Sequence, residues 1–374
     1  MRAIVLLALG LVACSSESPP GSPLDTGVVD AASEGGDDGA VDANDGRPAA
    51  CTTLDAELQA ALDSARGKNP NATLAVQDEA CGLRAFVSGD AANATLTTLW
   101  RMGSVTKTFV SAVILGLVKE GKVALTDPLS KWVDAVPKTD GVTVRMLLNH
   151  TSGIFNYTED PEFFADRTKK WTPREIVDLA TKTDPYFAPG ADFHYSNTNY
   201  ALLGMIAEKA GGKKISALIR ERAIGPAGLS ATFFDGEETV VGTMTKGFTG
   251  TKDVTFVSDM SGPWAAGAMV GPAIDLARWA STLYGTTKIL DADQRKALLA
   301  DPASGGNYGL GVVILKPAVT VGGGQALGHD GAIDGFATQM FWFEGKKTAV
   351  ASIVNKTGGD ANAITLAAVK ILFR

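Results

Sequence analysis

Ser104 and Lys107 stand three residues apart in the stretch "WRMGSVTKTFVSAVILGLVKEG" (100–121), at the head of a run that is otherwise almost wholly apolar. On a helix that spacing puts a hydroxyl and an amine one turn apart on the same face. Serine is a weak nucleophile until a neighbouring base takes its proton. A lysine can help in two ways: as a cation it lowers the pKa of another acceptor, and once desolvated it takes the proton itself. Lysine is almost never fully buried without a partner. Either Lys107 reaches solvent, then, or a cleft uses it. The helix N-terminus adds a field that favours developing negative charge. Alone, Ser-x-x-Lys is a weak signal, since about one is expected by chance in a chain of this size.

Two further stretches carry groups that complete such chemistry. In "PGADFHYSNTNYALLG", Tyr195 and Asn197 supply a phenol and an amide two residues apart, which in extended backbone look to the same side. A phenol beside an ammonium is biased toward phenolate, a general base; the plainer reading is a core-edge tyrosine with a capping asparagine. In "ALGHDGAIDGF", His329-Asp330-Gly331 precedes a strand hairpin. A glycine there, on an edge strand, lets a substrate backbone approach closely. His150 in "NHTSG" reads as a loop-stabilising residue, and His194 points away from its neighbour Tyr195 in extended chain. With three scattered histidines and no paired spacing, no metal site is expected. No Gly-x-Ser-x-Gly occurs, which leaves a nucleophile elbow unsupported.

The elements that must position these groups are legible at both ends of the chain. "TTLDAELQAALDSARG" reads as a helix with Thr52 as a possible cap and Gly67 as its stop. Short strands "ATLAVQ" and "LRAFVSG" follow, and "FATQMFWF" and "KTAVASIVN" form a hairpin about Glu344-Gly345. A closing helix spans 361–373. Between these ends the pattern is mostly helical, over 105–120, 173–182, 198–211, 215–223 and 273–284. The expected fold is therefore α+β: an antiparallel sheet from both chain ends, flanked by N- and C-terminal helices, with an inserted, mostly helical lobe and a cleft where the two meet.

The three motifs, in this order, resemble those of the serine β-lactamase and D-alanyl-D-alanine carboxypeptidase family, which includes class C enzymes and related esterases and D-aminopeptidases. Connecting phrases resemble it too: "LLNHTSGI", "FAPGADFHYSN", "YALLGMIAEKAGG", "WAAGAMVGPAIDLARWAS" and "YGLGVVIL", so that the similarity runs over about 100–355. The resemblance implies that Ser104 is the acylated nucleophile, Lys107 its activating cation and Tyr195 the proton shuttle. It implies that Asn197 binds the substrate amide, that His329 opens the third motif, and that the N–H groups of Ser104 and Ala332 form an oxyanion hole beside Gly331. No metal or organic cofactor is implied. "KTG" at Lys356-Thr357-Gly358 also matches the third motif of many members, but it follows the last strand and reads as a loop. Asp330 departs from the pattern: penicillin-binding members usually carry threonine there, and Ala332 also lacks a hydroxyl. A carboxylate at that place would repel the free carboxylate of a D-Ala-D-Ala terminus or a β-lactam. The implied function is an acyl hydrolase of D-amino-acid peptides, amides or β-lactams; carboxylic esters, or a wall-binding or penicillin-sensing role with a degenerate site, are the alternatives.

The N-terminus sets the expected location. "MRAIVLLALGLVAC" has one basic residue and an apolar run, 3–13, too short to span a bilayer, and it reads as a secretory signal. It ends in Leu11-Val12-Ala13-Cys14, which resembles a bacterial lipobox with Cys14 as the lipid attachment, and Ser15 fits sorting to the outer membrane. Residues 1–13 are thus expected to be a signal, 14–50 a tether and 51–374 the hydrolase domain. The 36 residues 15–50 carry no apolar periodicity; such a chain stays unfolded and reaches roughly 30–35 Å. Seven acids and one arginine lie in 21–50, so most of the formal charge of −7 belongs to the tether and says nothing about substrate. No basic patch points to nucleic acid. Cys51 and Cys81 remain and are expected to form a disulfide in an exported chain, two buried thiols being the alternative.

Overall fold

The two ends of the chain build one sheet, as the strand patterns require. The computed structural model describes residues 48–374; the signal, Cys14 and the tether through residue 47 lie outside the described residues. Among the principal elements, helix α1 spans Ala49–Ala65, strand β1 Asn71–Asp78 and strand β2 Gly82–Gly89. Near the other end come β3 Val313–Leu315, β4 Ala326–Ile333, β5 Phe336–Phe343 and β6 Thr348–Val354, then a closing helix, Ala361–Leu372. The antiparallel order is β2-β1-β6-β5-β4-β3. Strand β6 is buried at every residue because it sits mid-sheet with both faces covered, which is why "TAVASIV" does not alternate. Edge strand β2 buries every second residue instead.

The closing helix and α1 cover one face of the sheet. On the other face pack helix Ala273–Gly285 and the inserted lobe, which holds α2, Thr106–Lys119, α3, Pro173–Lys182, and α4, Asn197–Gly211. Local chemistry sets the ends of these helices. Thr172 and Glu175 form a reciprocal capping box with Pro173 at the first turn of α3. Gly212, at φ 69°, closes α4 in the left-handed conformation.

Two boundaries differ from expectation. Helix α1 starts at Ala49 directly after Pro48, so Thr52 lies inside it and caps nothing. The helix expected over 215–223 is regular only over Ile215–Ile219 and then widens to a π turn, Arg220–Ile224. Pro226 follows, lacking the N–H that would keep the ladder in register. Cys51 and Cys81 are bridged, tying α1 to the β1–β2 turn with their Cα atoms 5.5 Å apart.

The feature that positions the site is a gap. Strand β3 pairs with β4 only through Gly328, so residues 329–333 have no strand on their outer side among the described residues. That free edge lies against the turn Gly103–Val105 at the head of α2. A short strand, Trp100–Arg101, paired with Met269–Gly271, pins the entry to this turn.

Candidate active site

Ser104 lies in a 3₁₀ turn, Gly103–Val105, and α2 begins only at Thr106. In that tighter winding residues three apart eclipse one another, and Lys107 Nζ reaches Ser104 Oγ at 3.0 Å. Ser104 keeps some exposure, whereas Lys107 is wholly buried. The amine has two more acceptors: Asn197 Oδ1 at 2.8 Å and the Ala266 carbonyl at 2.8 Å. It also stands 4.9 Å from the Tyr195 ring centroid and 5.3 Å from that of Tyr200. No carboxylate pairs with it among the described residues. Burial therefore dominates and pushes its pKa well below the ordinary lysine value.

Those three contacts would satisfy the three N–H donors of an ammonium and equally fit a neutral amine, the form that burial favours. An –NH₂ group has two N–H donors and one lone pair, while two of its partners, an amide oxygen and a carbonyl, can only accept. The lone pair is left for the Ser104 hydroxyl, the one partner able to donate. The amide of Asn197 is held in this sense: its Nδ2 donates to Thr158 Oγ1 at 3.0 Å, and its backbone N–H donates to Asn156 Oδ1 at 3.0 Å. Asn197 thus faces the lysine first, a departure from its expected role on the substrate.

Tyr195 comes to the same place. Its hydroxyl oxygen is buried and has no hydrogen-bond partner of good geometry. Ser104 is near enough to favour the phenolate, but burial wins and raises the phenol's pKa well above its ordinary value. The expected bias toward phenolate does not appear, because burial of the phenol outweighs the pull of its neighbours. Tyr195 is a proton donor in waiting.

His329 and Gly331 behave differently from expectation. Both ring nitrogens of His329 are engaged inside the protein, Nε2 with Tyr308 Oη at 2.9 Å and Nδ1 with the Asp330 carbonyl at 2.6 Å. The ring is buried, which lowers its pKa to about 3, and no nitrogen is left for a ligand. Gly331 is bare for the sake of the protein's own backbone. A β-carbon there would collide with the Met102 carbonyl oxygen and lie 3.3 Å from Ser104 N, and one on Gly103 would lie 2.9 Å from Ala332 N. The N–H-bearing segments of Ser104 and Ala332 are brought side by side by these two glycines. Gly331→Ala is expected to push β4 off the Ser104 turn and lower kcat by roughly 10²–10³-fold, the worth of one oxyanion donor, with a smaller change in KM. Steady-state kinetics check this, and an unchanged kcat would count against the arrangement.

Asp330 points to the opposite face of β4 from His329, where Gln339 on β5 is its register partner and donates Nε2–H to Oδ1 at 2.9 Å. Among the described residues no lysine or arginine pairs with it. Burial pushes its pKa up to about 6 against the opposing pull of Gln339. Lys356-Thr357-Gly358 follows β6 as a turn, with Thr357 Oγ1 accepting from Gly335 N at 2.8 Å, so that triplet is structural. His194 stacks on Tyr186, 3.6 Å between centroids. Cys14 lies outside the described residues. No group of three or more His, Cys, Asp or Glu is gathered among the described residues to hold a metal ion.

Sequence reasoning missed the Ala266 carbonyl, Thr158, Asn156 and Tyr308. Ala266 acts through its backbone, which no residue type announces. Tyr308 lies in "YGLGVVIL", a phrase matched only as a connector.

Comparison with known proteins places this geometry. A model of the Beta-lactamase family matches residues 74–372. The chain is 28% identical over 300 residues to penicillin-binding protein 4* of Bacillus subtilis, covering 74% of this chain and 65% of that one. It spans 32% of the length of a fimbrial assembly protein, FimD, of Dichelobacter nodosus, at 31% identity over 33% of this chain. Among solved structures it is similar to a D-stereospecific amidohydrolase from Streptomyces sp., with 30% identity, TM-score 0.73, and 83% of this chain and 97% of that one covered. It is also similar to the D-amino acid amidase of Ochrobactrum anthropi complexed with L-phenylalanine amide, with 28% identity, TM-score 0.78, and 86% and 98% covered.

Proposed function

The chain belongs to the β-lactamase family and is a serine hydrolase, and on that premise we propose that it is an amidase working through an acyl-enzyme on Ser104, with D-aminoacyl amides or short D-peptides bearing a free α-ammonium as substrates. The observation that carries the chemistry is the wholly buried amine of Lys107, within hydrogen-bond distance of Ser104 Oγ, Asn197 Oδ1 and the Ala266 carbonyl.

The steps follow from those contacts. Lys107 Nζ takes the Ser104 proton as Oγ attacks the substrate carbonyl carbon. The oxyanion forms against the N–H groups of Ser104 and Ala332, each worth roughly 2.7–4 kcal/mol in such sites. Tyr195, a neutral phenol without a partner, gives its proton to the leaving nitrogen as the C–N bond breaks. The proton held on Lys107 is then available to restore Tyr195. Water attacks the ester, leaves its acyl oxygen in the product acid, and returns a proton to Ser104 Oγ.

Asp330 supports the choice of substrate. It is a carboxylate without a cationic partner among the described residues, two positions along the free edge from Ala332, and it suits an ammonium while opposing a terminal carboxylate. The named activities of the two similar solved enzymes, D-stereospecific amidohydrolase and D-amino acid amidase, agree with that preference. The test is a paired one: turnover of D-phenylalanine amide should be ready while a fluorescent penicillin leaves Ser104 unlabelled. Rapid penicillin capture with no amide turnover would replace this reading with a penicillin-binding one.

The reading extends to place. The leader and Cys14 support an exported enzyme anchored by lipid to a membrane face, on a tether of roughly 30–35 Å reach. Metabolic labelling with a fatty acid should mark the wild type and not Cys14→Ser; equal labelling of both would remove the anchor.

A further inference from the structure

Behind Tyr195 runs a chain of buried hydrogen bonds that the acyl-transfer steps do not use. The Ser196 N–H donates to His150 Nδ1 at 3.2 Å, and Asn199 Nδ2 lies 3.1 Å from the same nitrogen. Ser152 Oγ donates to Asn199 Oδ1 at 2.6 Å, which turns the amide's NH₂ toward the imidazole. His150 Nε2 lies 3.2 Å from Tyr308 Oη, and Tyr308 Oη lies 2.9 Å from His329 Nε2. His329 Nδ1 ends the chain on the Asp330 carbonyl at 2.6 Å.

Donor arithmetic gives this chain one direction. A backbone N–H can only donate, so His150 Nδ1 accepts and, in a neutral ring, Nε2 must carry the proton. Nε2–H then donates to Tyr308 Oη, which turns the phenol O–H toward His329 Nε2. That nitrogen accepts, so His329 carries its proton on Nδ1 and gives it to Asp330 O. His150 Nδ1 faces both the Ser196 N–H and the Asn199 amide, and Tyr308 also meets the Tyr200 hydroxyl, so the direction is set by the two ends, a backbone N–H that can only donate and a carbonyl that can only accept. Burial holds both imidazoles well below their ordinary pKa and keeps each ring neutral. His150 also packs its ring 4.3 Å from that of Tyr195.

We infer that Tyr308 is a positioning residue, whose hydroxyl locks the tautomers of His150 and His329 and thereby ties the Tyr195-Ser196-Asn197 segment to the free edge of β4. The two ends of the chain are the two halves of the site. Ser196 N sits between Tyr195 and Asn197, and Asp330 O sits two residues before Ala332. The relay crosses from the helical lobe to the sheet and holds the proton-donor side of the cleft in register with the oxyanion side. This rests on the catalytic reading of Ser104 for its effect on rate, but the bonding order itself does not.

Two measurements test it separately. The chain holds only three histidines, so nitrogen NMR of the wild-type protein can assign each tautomer without any substrate. The Nε2–H form is expected for His150 and the less common Nδ1–H form for His329; Nε2–H on His329 would overturn the relay whatever the enzyme hydrolyses. In kinetics, Tyr308→Phe is expected to lower kcat at least tenfold with KM changed less than threefold. Ser352→Ala is the control. It removes a buried hydroxyl bonded to the Ala361 carbonyl and Thr365 Oγ1 under the closing helix, and should lower Tm while sparing kcat. If Tyr308→Phe affects kcat no more than Ser352→Ala does, Tyr308 is structural only and the inference fails.

Discussion

Lys107→Met is expected to slow acylation by roughly 10²–10⁴-fold, the range spanned by a positioned general base, while the protein still folds. Methionine keeps most of the stem's volume and drops the nitrogen. The variant leaves two acceptors, Asn197 Oδ1 and the Ala266 carbonyl, without their donor, but it also removes a group whose protonation in that site is costly. Single-turnover kinetics report the rate, and circular dichroism with Tm reports the fold. An acylation rate within tenfold of wild type would show that the proton leaves Ser104 by another route. The sign of the pH dependence follows from the lowered lysine pKa. The amine is catalytic when neutral, so activity holds above that lowered value and falls as pH drops through it. A lysine with its ordinary pKa would instead confine activity to strongly alkaline solution.

Asp330→Thr is expected to change what the enzyme accepts. A hydrogen bond from a substrate ammonium to a carboxylate is worth about 1.5–3 kcal/mol, so kcat/KM for D-phenylalanine amide should drop by roughly 10–100-fold. Peptides ending in a free D-alanyl carboxylate should gain, since the repelling charge is gone. The wild-type carboxyl ionises only as pH rises through about 6; kcat/KM for the ammonium substrate should therefore climb through that value, and the limb should vanish in Asp330→Thr. An N-acetylated substrate, with no ammonium, should lack the limb in wild type as well. If the variant keeps full preference for the amide, Asp330 does not read the α-amino group.

Much of the framework was legible because it is written in local pattern. The helical pattern over 173–182 announced α3, the hairpin about Glu344-Gly345 announced β5 and β6, and the two cysteines left after Cys14 announced their bridge. The Ser104–Lys107 spacing announced a contact that forms at 3.0 Å. What stayed hidden depends on which side of the free edge faces which lobe. His329 and Gly331 share one face of β4, and that face turns toward the protein's own interior, toward Tyr308 and the Met102 carbonyl. Period-two alternation says that they share a side but cannot say which partner waits there. The surroundings of Lys107 were hidden for a similar reason. A phrase such as "WAAGAMV" does not reveal that the carbonyl of Ala266 will accept a hydrogen bond from the amine.

Everything here rests on Ser104 carrying the acyl group during turnover. Intact-protein mass spectrometry after rapid mixing with a D-phenylalanine ester, whose better leaving group lets the acyl form accumulate, tests this most directly. One added phenylalanyl group on wild type, mapped to the peptide containing residue 104 and missing from Ser104→Ala, is the predicted result. Steady hydrolysis by Ser104→Ala, or an adduct that maps elsewhere, would contradict it.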